Sequence, residues 1–236
     1  FIPFITGGDP DLETSYELIK TMAENGADII EIGIPFSDPI AEGPVIQEAD
    51  LRALSAGTTT DALFEMVEKL RKEIDIPFVF MSYMNPLYVY GTQRFMKRCK
   101  EVGIDGVIIP DVPFEEKDEL SQFCKEFGIE LISMIAPTSQ ERIEMIAKEA
   151  EGFLYCVSSL GVTGVRKEIR TDIAGMVEHV RKVTDVPVAV GFGISTPEQA
   201  KKMAAVSDGA IVGSAIVKIV AQYQKDAKPY IAEYVK

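Results

Sequence analysis

Eight short apolar runs, recurring at intervals of a few tens of residues, constrain this sequence more than anything else in it. They read FIPFITG (1–7), DIIEIGI (28–34), PFVFMSY (77–83), GVIIPDV (106–112), ELISMIA (130–136), FLYCVSS (153–159), PVAVGFG (187–193) and GAIVG (209–213). Most are continuously apolar rather than alternating, which marks strands covered on both faces, as in parallel sheets. The stretches between them are long enough for amphipathic crossover helices. In the first, Leu12, Tyr16, Ile19 and Ala23 fall on one helical face, while Glu13, Glu17 and Lys20 point elsewhere. Asp9 and Pro10 read as the cap and first turn of that helix and Gly26 as its stop. Near the end of the chain, TPEQ (196–199) reads as a capping box with proline in the first helical position.

Eight such strand–helix units match a (β/α)8 TIM barrel better than the alternative, a doubly wound open sheet. No linker, low-complexity stretch or break in composition divides the sequence. The expected organisation is a single (β/α)8 barrel domain over residues 1–236, starting directly at the first strand. With 47% hydrophobic residues, a chain of 236 residues can fill such a core. The formal net charge of −13 argues against sequence-independent binding to nucleic acid or anionic membrane, both of which want basic patches. Cys99, Cys124 and Cys156 are too few and too scattered for a disulfide framework, and no CxxC pair suggests zinc. No apolar run is long enough to cross a bilayer and no signal peptide is visible, so the expected location is the cytoplasm.

In a barrel of this kind the active site lies at the carboxyl ends of the strands. Those ends carry Thr6 and Gly7, Glu31 with the loop from Phe36 to Gln47, Tyr83 and Asn85, Asp111, Pro137, Ser158 to Gly164, Gly191 to Gly193, and Gly213 with Ser214. No lysine is among them, so a Schiff-base mechanism has no nucleophile. The single histidine, His179, falls inside a helical pattern, which argues against a histidine-based metal site. What remains is a set of carboxylates, Glu31, Asp38, Glu42 and Asp111, suited to acid–base chemistry. Asp38, in FSDP, reads equally well as a turn residue, and Asp111, in IPDVP, as a cap on the following helix.

Glu31 differs from these. Glutamate is a poor strand former, and its neighbours Ile30 and Ile32 should face the helices, which turns the Glu31 side chain into the barrel. Desolvation there would raise its pKa and give an acid able to donate a proton near neutral pH. GFGIS and VGSAIVK follow the seventh and eighth strands, where barrels commonly hold a phosphate on glycine backbone and a helix amino end. The alternative for these glycines is plain turn chemistry.

PFITGGDPD, EIGIPFSDPIAEGPVIQEADLRAL, MSYMNPLYVYG, IIPDVPFEE, GVTGVR, VAVGFGIST and GSAIVKIV, taken together and in order, resemble the tryptophan synthase α subunit family over essentially the whole chain. The resemblance implies a carbon–carbon lyase that cleaves indole-3-glycerol phosphate to indole and glyceraldehyde 3-phosphate. It also implies an α2β2 assembly with a β subunit that carries pyridoxal phosphate, and no cofactor in this chain. By position, Glu31 takes the catalytic glutamate's place, and Glu42 that of the second catalytic carboxylate, which hydrogen-bonds the indole N–H. Tyr83 and Tyr155 match the indole pocket, and Thr163 and Gly164 the loop over the site. Phe192, Gly193, Gly213 and Ser214 match substrate- and phosphate-binding positions. Asp38, Asn85 and Asp111 resemble the surface that communicates with the β subunit. The sequence departs from the family at Glu42, where the pattern Asp-Gly-Pro is here Glu-Gly-Pro. Three functions follow as alternatives: an active lyase subunit, a binding subunit that activates its partner while its own cleavage is weakened, and a stand-alone lyase.

Overall fold

The structure is a computed structural model that describes residues 1–157, 172–191 and 193–236. Each apolar run forms a strand: β1 (Ile2–Thr6), β2 (Ile30–Gly33), β3 (Phe78–Met81), β4 (Gly106–Ile108), β5 (Glu130–Leu131), β6 (Met134–Ile135), β7 (Leu154–Val157), β8 (Val188–Gly191) and β9 (Gly209–Val212). The nine strands come from eight runs because ELISMIA is divided into β5 and β6. Its Ile132 N–H donates to the Val107 carbonyl at 2.9 Å, continuing the pairing with β4. One residue later the Ser133 carbonyl accepts from the Tyr155 N–H at 2.9 Å, and the run has changed partner to β7.

All pairings are parallel, in the order β5-β4-β3-β2-β1-β9-β8-β7-β6. The two ends of that order, β5 and β6, are consecutive in the chain, so the sheet curls into a TIM barrel that closes through its divided fifth strand. A doubly wound sheet would leave its edges apart in space.

Among the described residues the helices are α1 (Leu12–Glu24), α2 (Pro44–Ser55), α3 (Thr60–Leu70), α4 (Met84–Tyr90), α5 (Thr92–Val102), α6 (Asp118–Phe127), α7 (Gln140–Lys148), α8 (Ile173–Val180), α9 (Pro197–Ala204), α10 (Ser214–Tyr223) and α11 (Lys228–Val235). Strand alternation sorts the core into two layers. Ile30, Ile32, Phe78 and Phe80 pack outward against Leu18, Ile19, Phe64 and Val67 of the helices. Phe4, Val79, Met81 and Ile211 form the inner layer. No helix of the described residues is long and apolar enough to cross a membrane.

Local signals were read with mixed accuracy. Helix α1 begins two residues later than Asp9-Pro10 implied: its N-cap is Asp11, which accepts from the Thr14 N–H at 2.8 Å. Asp9 is buried instead and takes a two-point ion pair from Arg52 of α2, at 2.8 Å on each oxygen. The buried stripe of α1 is centred on Leu18, Ile19 and Met22, with Leu12, Tyr16 and Ala23 at its margin. At α9, Thr196 caps as expected and Pro197 opens the helix, but the Gln199 side chain reaches past the cap to the Ser195 N–H at 2.8 Å.

Candidate active site

The segment from β2 to α2 supplies both carboxylates that the sequence puts forward. β2 has the pattern out-in-out-in, so with Ile30 and Ile32 committed to the helix layer, Glu31 projects into the barrel, 2% exposed. After Gly33 the chain runs through an irregular, proline-containing loop, 34–43, until Pro44 restarts it as α2 in the first helical position. Glu42 sits at the end of that loop, also buried. Both carboxyls line one cleft of roughly 430 Å3, together with Phe4, Met81, Tyr155 and Ile211.

Burial first, and then the like charge of Glu42, push the Glu31 carboxyl up from 4.5 to about 8. An ionised carboxylate there would lose its hydration without gaining a cation, so the proton stays on near neutrality. Glu42 is held by Tyr83, whose hydroxyl donates to its Oε1 at 3.1 Å and accepts from the Ala41 N–H at 3.1 Å. The Gln47 amide closes the turn by donating to the Glu42 carbonyl at 2.8 Å. Tyr83 lies at the end of β3, its ring 5.5 Å from Phe36. Burial and Glu42 raise its phenol well above the ordinary range, so it remains a donor.

Tyr155, on β7, is buried between β2 and β8, and burial followed by Glu31 raises its hydroxyl strongly. Its close neighbour must be a glycine: a Cβ at Gly191 would stand 2.6 Å from the Tyr155 hydroxyl. The cleft's other rim is Gly193, at φ +88°, with Gly213 and Ser214. Gly213 is the N-cap of α10 and offers no side-chain acceptor to the first turn. That turn therefore presents amide donors and the positive end of the helix toward an anion.

The cleft thus brings together Glu31, Glu42, Tyr155, Gly193, Gly213 and Ser214, with Tyr83 in contact through Glu42. Thr163, Gly164 and Phe192 lie outside the described residues. Asp38 and Asn85 are exposed at the mouth, away from the cleft lining. Asp111 does not cap the helix that follows it. Both its oxygens accept from the Met84 N–H, at 3.0 and 3.1 Å, so it caps α4 after the preceding strand. His179 stands 3.1 Å from Glu144 of α7 and is not part of the cleft lining. Among the described residues no group of three or more His, Cys, Asp or Glu is arranged to hold a metal ion.

Sequence reasoning missed the apolar half of the cleft, Phe4, Met81 and Ile211, although alternation counted from Glu31 across paired strands would have found it. It also missed Asp50, buried one helical turn beyond the Glu42 turn, whose carboxyl is pushed up to about 8 by burial and then by Glu42. A charged residue at a helix position where Ile46, Ala49 and Ala53 are buried is the signal that could have shown it.

Fold and cleft together define the class: a TIM barrel with a site equipped for acid–base chemistry at the carboxyl ends of its strands. The family model for the tryptophan synthase alpha chain matches residues 1–235. The alpha chain of Lacticaseibacillus casei is 49% identical over 236 residues, covering 100% of this chain and 89% of that one. That of Thermoanaerobacter sp. (strain X514) is 51% identical over 221 residues, 94% of this chain and 84% of the relative. Among solved structures, the tryptophan synthase complex from Pyrococcus furiosus superposes with a TM-score of 0.90 at 34% identity, covering 99% of this chain and 95% of that one. Tryptophan synthase subunit alpha from Legionella pneumophila gives 0.89 at 37%, covering 99% and 88%. The chain belongs to the tryptophan synthase alpha chain family, lyases of tryptophan biosynthesis.

Proposed function

We propose that this chain cleaves indole-3-glycerol phosphate to indole and glyceraldehyde 3-phosphate, with Glu31 as the acid–base group. The observation that carries the reading is a buried, proton-holding Glu31 in the same cleft as the amide-rich end of α10. The retro-aldol needs one proton placed on indole C3 and one taken from the carbinol hydroxyl beside the ring. The electron pair of the broken carbon–carbon bond stays with the ring, and the carbinol carbon becomes the aldehyde. A neutral Glu31 gives the first proton and, as the carboxylate so formed, takes the second, so a single group closes the cycle. Ionised Glu42 accepts from the indole N–H and, as a like charge, helps keep Glu31 protonated until the ring approaches. Tyr155 walls the indole side, and Thr163 and Gly164 keep the substrate-binding role that the family resemblance implies for them. Gly193, Gly213 and Ser214 hold the phosphate end, and Phe192 keeps the substrate-binding role that the resemblance implies.

The partner in this reading is a β subunit carrying pyridoxal phosphate, and this chain, one barrel domain in the cytoplasm, needs no cofactor of its own. One structural relative at TM-score 0.91 and 34% identity is the tryptophan synthase α2β2 complex of Pyrococcus furiosus, which supports that assembly. Asp38 and Asn85 are exposed on one rim, where a partner could read the state of the loop. Asp111, through Met84, and Tyr83, through Glu42, connect that rim to the cleft.

Glu42 favours a second reading, because one extra methylene relative to aspartate can displace the carboxylate by roughly 1 Å and cost about a hundredfold in rate. Indole release measured with and without the β subunit, for the parent and Glu42→Asp, separates the alternatives. Turnover with the partner, changed little by Glu42→Asp, supports the lyase subunit, and equal turnover without the partner supports a stand-alone lyase. An inert parent restored by Glu42→Asp supports a binding subunit.

A further inference from the structure

Where the fifth apolar run divides, a second cleft of roughly 810 Å3 opens between the β4–α6 connection, α6, the β5–β6 break and α7, and it shares no lining residue with the first. Its walls are mainly apolar, with Leu120 of α6, Ile132 and Met134 of the divided run and Ile146 of α7 among them. The backbone adds a polar edge. Alternation sends the Met134 N–H to the same side as the Ile132 N–H, which still reaches the Val107 carbonyl, but β4 ends at Ile108 and no strand pairs with that edge of β6 among the described residues.

Charge is unevenly placed around this cleft. The chain carries a formal net charge of −13, yet the charged side chains that line the cleft, among the described residues, are two cations, Lys117 and Arg142. Their ion-pair partners stand outside the lining: Lys117 pairs with Glu149, and Arg142 with Glu115 at 2.6 and 3.1 Å. Both glutamates are exposed, and ion pairs open to water are weak enough for a ligand carboxylate to displace one partner. The Lys117 ammonium also lies 4.3 Å from the centre of the Phe114 ring, which itself lines the cleft, so it is held at the cleft's edge.

We propose that this cleft is a second ligand site, for a compact apolar carboxylate whose hydrocarbon body fills the hollow and whose anionic group is held between Lys117 and Arg142. It draws on no residue of the first cleft, so it stands or falls apart from the lyase reading.

The test is a titration of the full chain, labelled at the methyl groups of Ile, Leu and Met, with 2-naphthoate followed by NMR. Saturable shifts should appear at Leu120, Ile132, Met134 and Ile146, with Met81 and Ile211 of the first cleft unmoved, and a dissociation constant of about 1 mM or tighter. 2-Naphthylmethanol, the same ring without the charge, should bind about fivefold more weakly or worse. Lys117→Gln and Arg142→Gln should each weaken 2-naphthoate about threefold, and the double variant about tenfold. Both substitutions lie at the surface, and the methyl spectrum itself reports whether each variant is folded. The proposal is overturned if no saturable shift reaches the second cleft at about 10 mM probe, or if the shifts are confined to Met81 and Ile211. Equal affinity for the neutral alcohol, or charge variants that bind as the parent does, would overturn it as well.

Discussion

Around β1, β2 and β3 the barrel wall is filled by aromatic side chains, whereas between β4 and β7 it thins to two strands of two residues each. On the first side Phe64 touches Phe80, Tyr90 and Phe95 with ring centroids 5.2 to 5.7 Å apart, and all but Tyr90 are essentially without solvent contact. On the second side the break at Ile132–Ser133 leaves a cleft of roughly 810 Å3 that reaches between α6 and α7, past Leu120 and Ile146. Surface ion pairs span its outside, Arg142 to Glu115 at 2.6 and 3.1 Å and Lys117 to Glu149. The aromatic-packed side is the one that carries Glu31 and Glu42. A buried carboxyl keeps its proton only where the wall cannot admit water, and close-packed aromatics provide that.

Removing the Glu31 carboxyl tests the aromatic-packed side hardest. Glu31→Gln should lower indole release about 10²- to 10⁴-fold while the variant folds, the usual worth of a positioned acid–base group. A residual activity within tenfold of the parent would place the proton donor elsewhere. Next in size is Phe64→Ala, which should cost about 3–5 kcal/mol in denaturant unfolding because the surrounding rings cannot collapse into the gap. Ile146→Ala, bordering the existing cleft, should cost about 2 kcal/mol, at the low end for such a truncation. Equal losses at the two sites would remove the contrast between the walls.

The buried acids also give stability a pH dependence of known sign. Glu31 and Asp50 hold protons up to about 8 in the folded chain, against 4.5 and 3.8 for the free groups. Between those limits the unfolded chain has released protons that the folded chain retains, so stability falls as pH rises through this window and levels off above about 8. Each tenfold difference in proton affinity is worth about 1.4 kcal/mol, so between pH 5 and 8 each group should cost up to about 4 kcal/mol and the two together up to about 8 kcal/mol. Unfolding of Asp50→Asn should show a shallower fall over the same range, and an unchanged slope would mean that Asp50 is ionised in the folded chain. Smallest of all is Arg142→Gln on the thin side. Its ion pair is solvent-exposed, so the midpoint of unfolding should hardly move.

The alternation of apolar runs with helical stretches was enough to read the barrel, because a parallel strand buried on both faces leaves a continuous apolar signature. The division of ELISMIA was not legible. Change of partner between Ile132 and Ser133 is decided by where β4 and β7 stand, and neither is local to that run. Glu31 was legible for the converse reason: Ile30 and Ile32 fix the outward face, and the strand period of two leaves the glutamate no other direction. Caps were read less well than strands. Asp9, Asp11 and Asp111 are all plausible cap residues, and which backbone N–H each one meets depends on contacts that sequence spacing does not carry, Arg52 for Asp9 and Met84 for Asp111. Asp50 went unread because the hydroxyl it meets, that of Thr6, lies forty-four residues away on β1.

The chemistry of the site depends first on Glu31 keeping its proton near neutral pH. Titration of the Glu31 carboxyl by carbon NMR of the chain labelled at glutamate, assigned by its loss in Glu31→Gln, measures this directly. A midpoint near 8 is the predicted result. A midpoint in the ordinary glutamate range, near 4.5, would mean that the cleft hydrates or neutralises the charge, and would contradict the account.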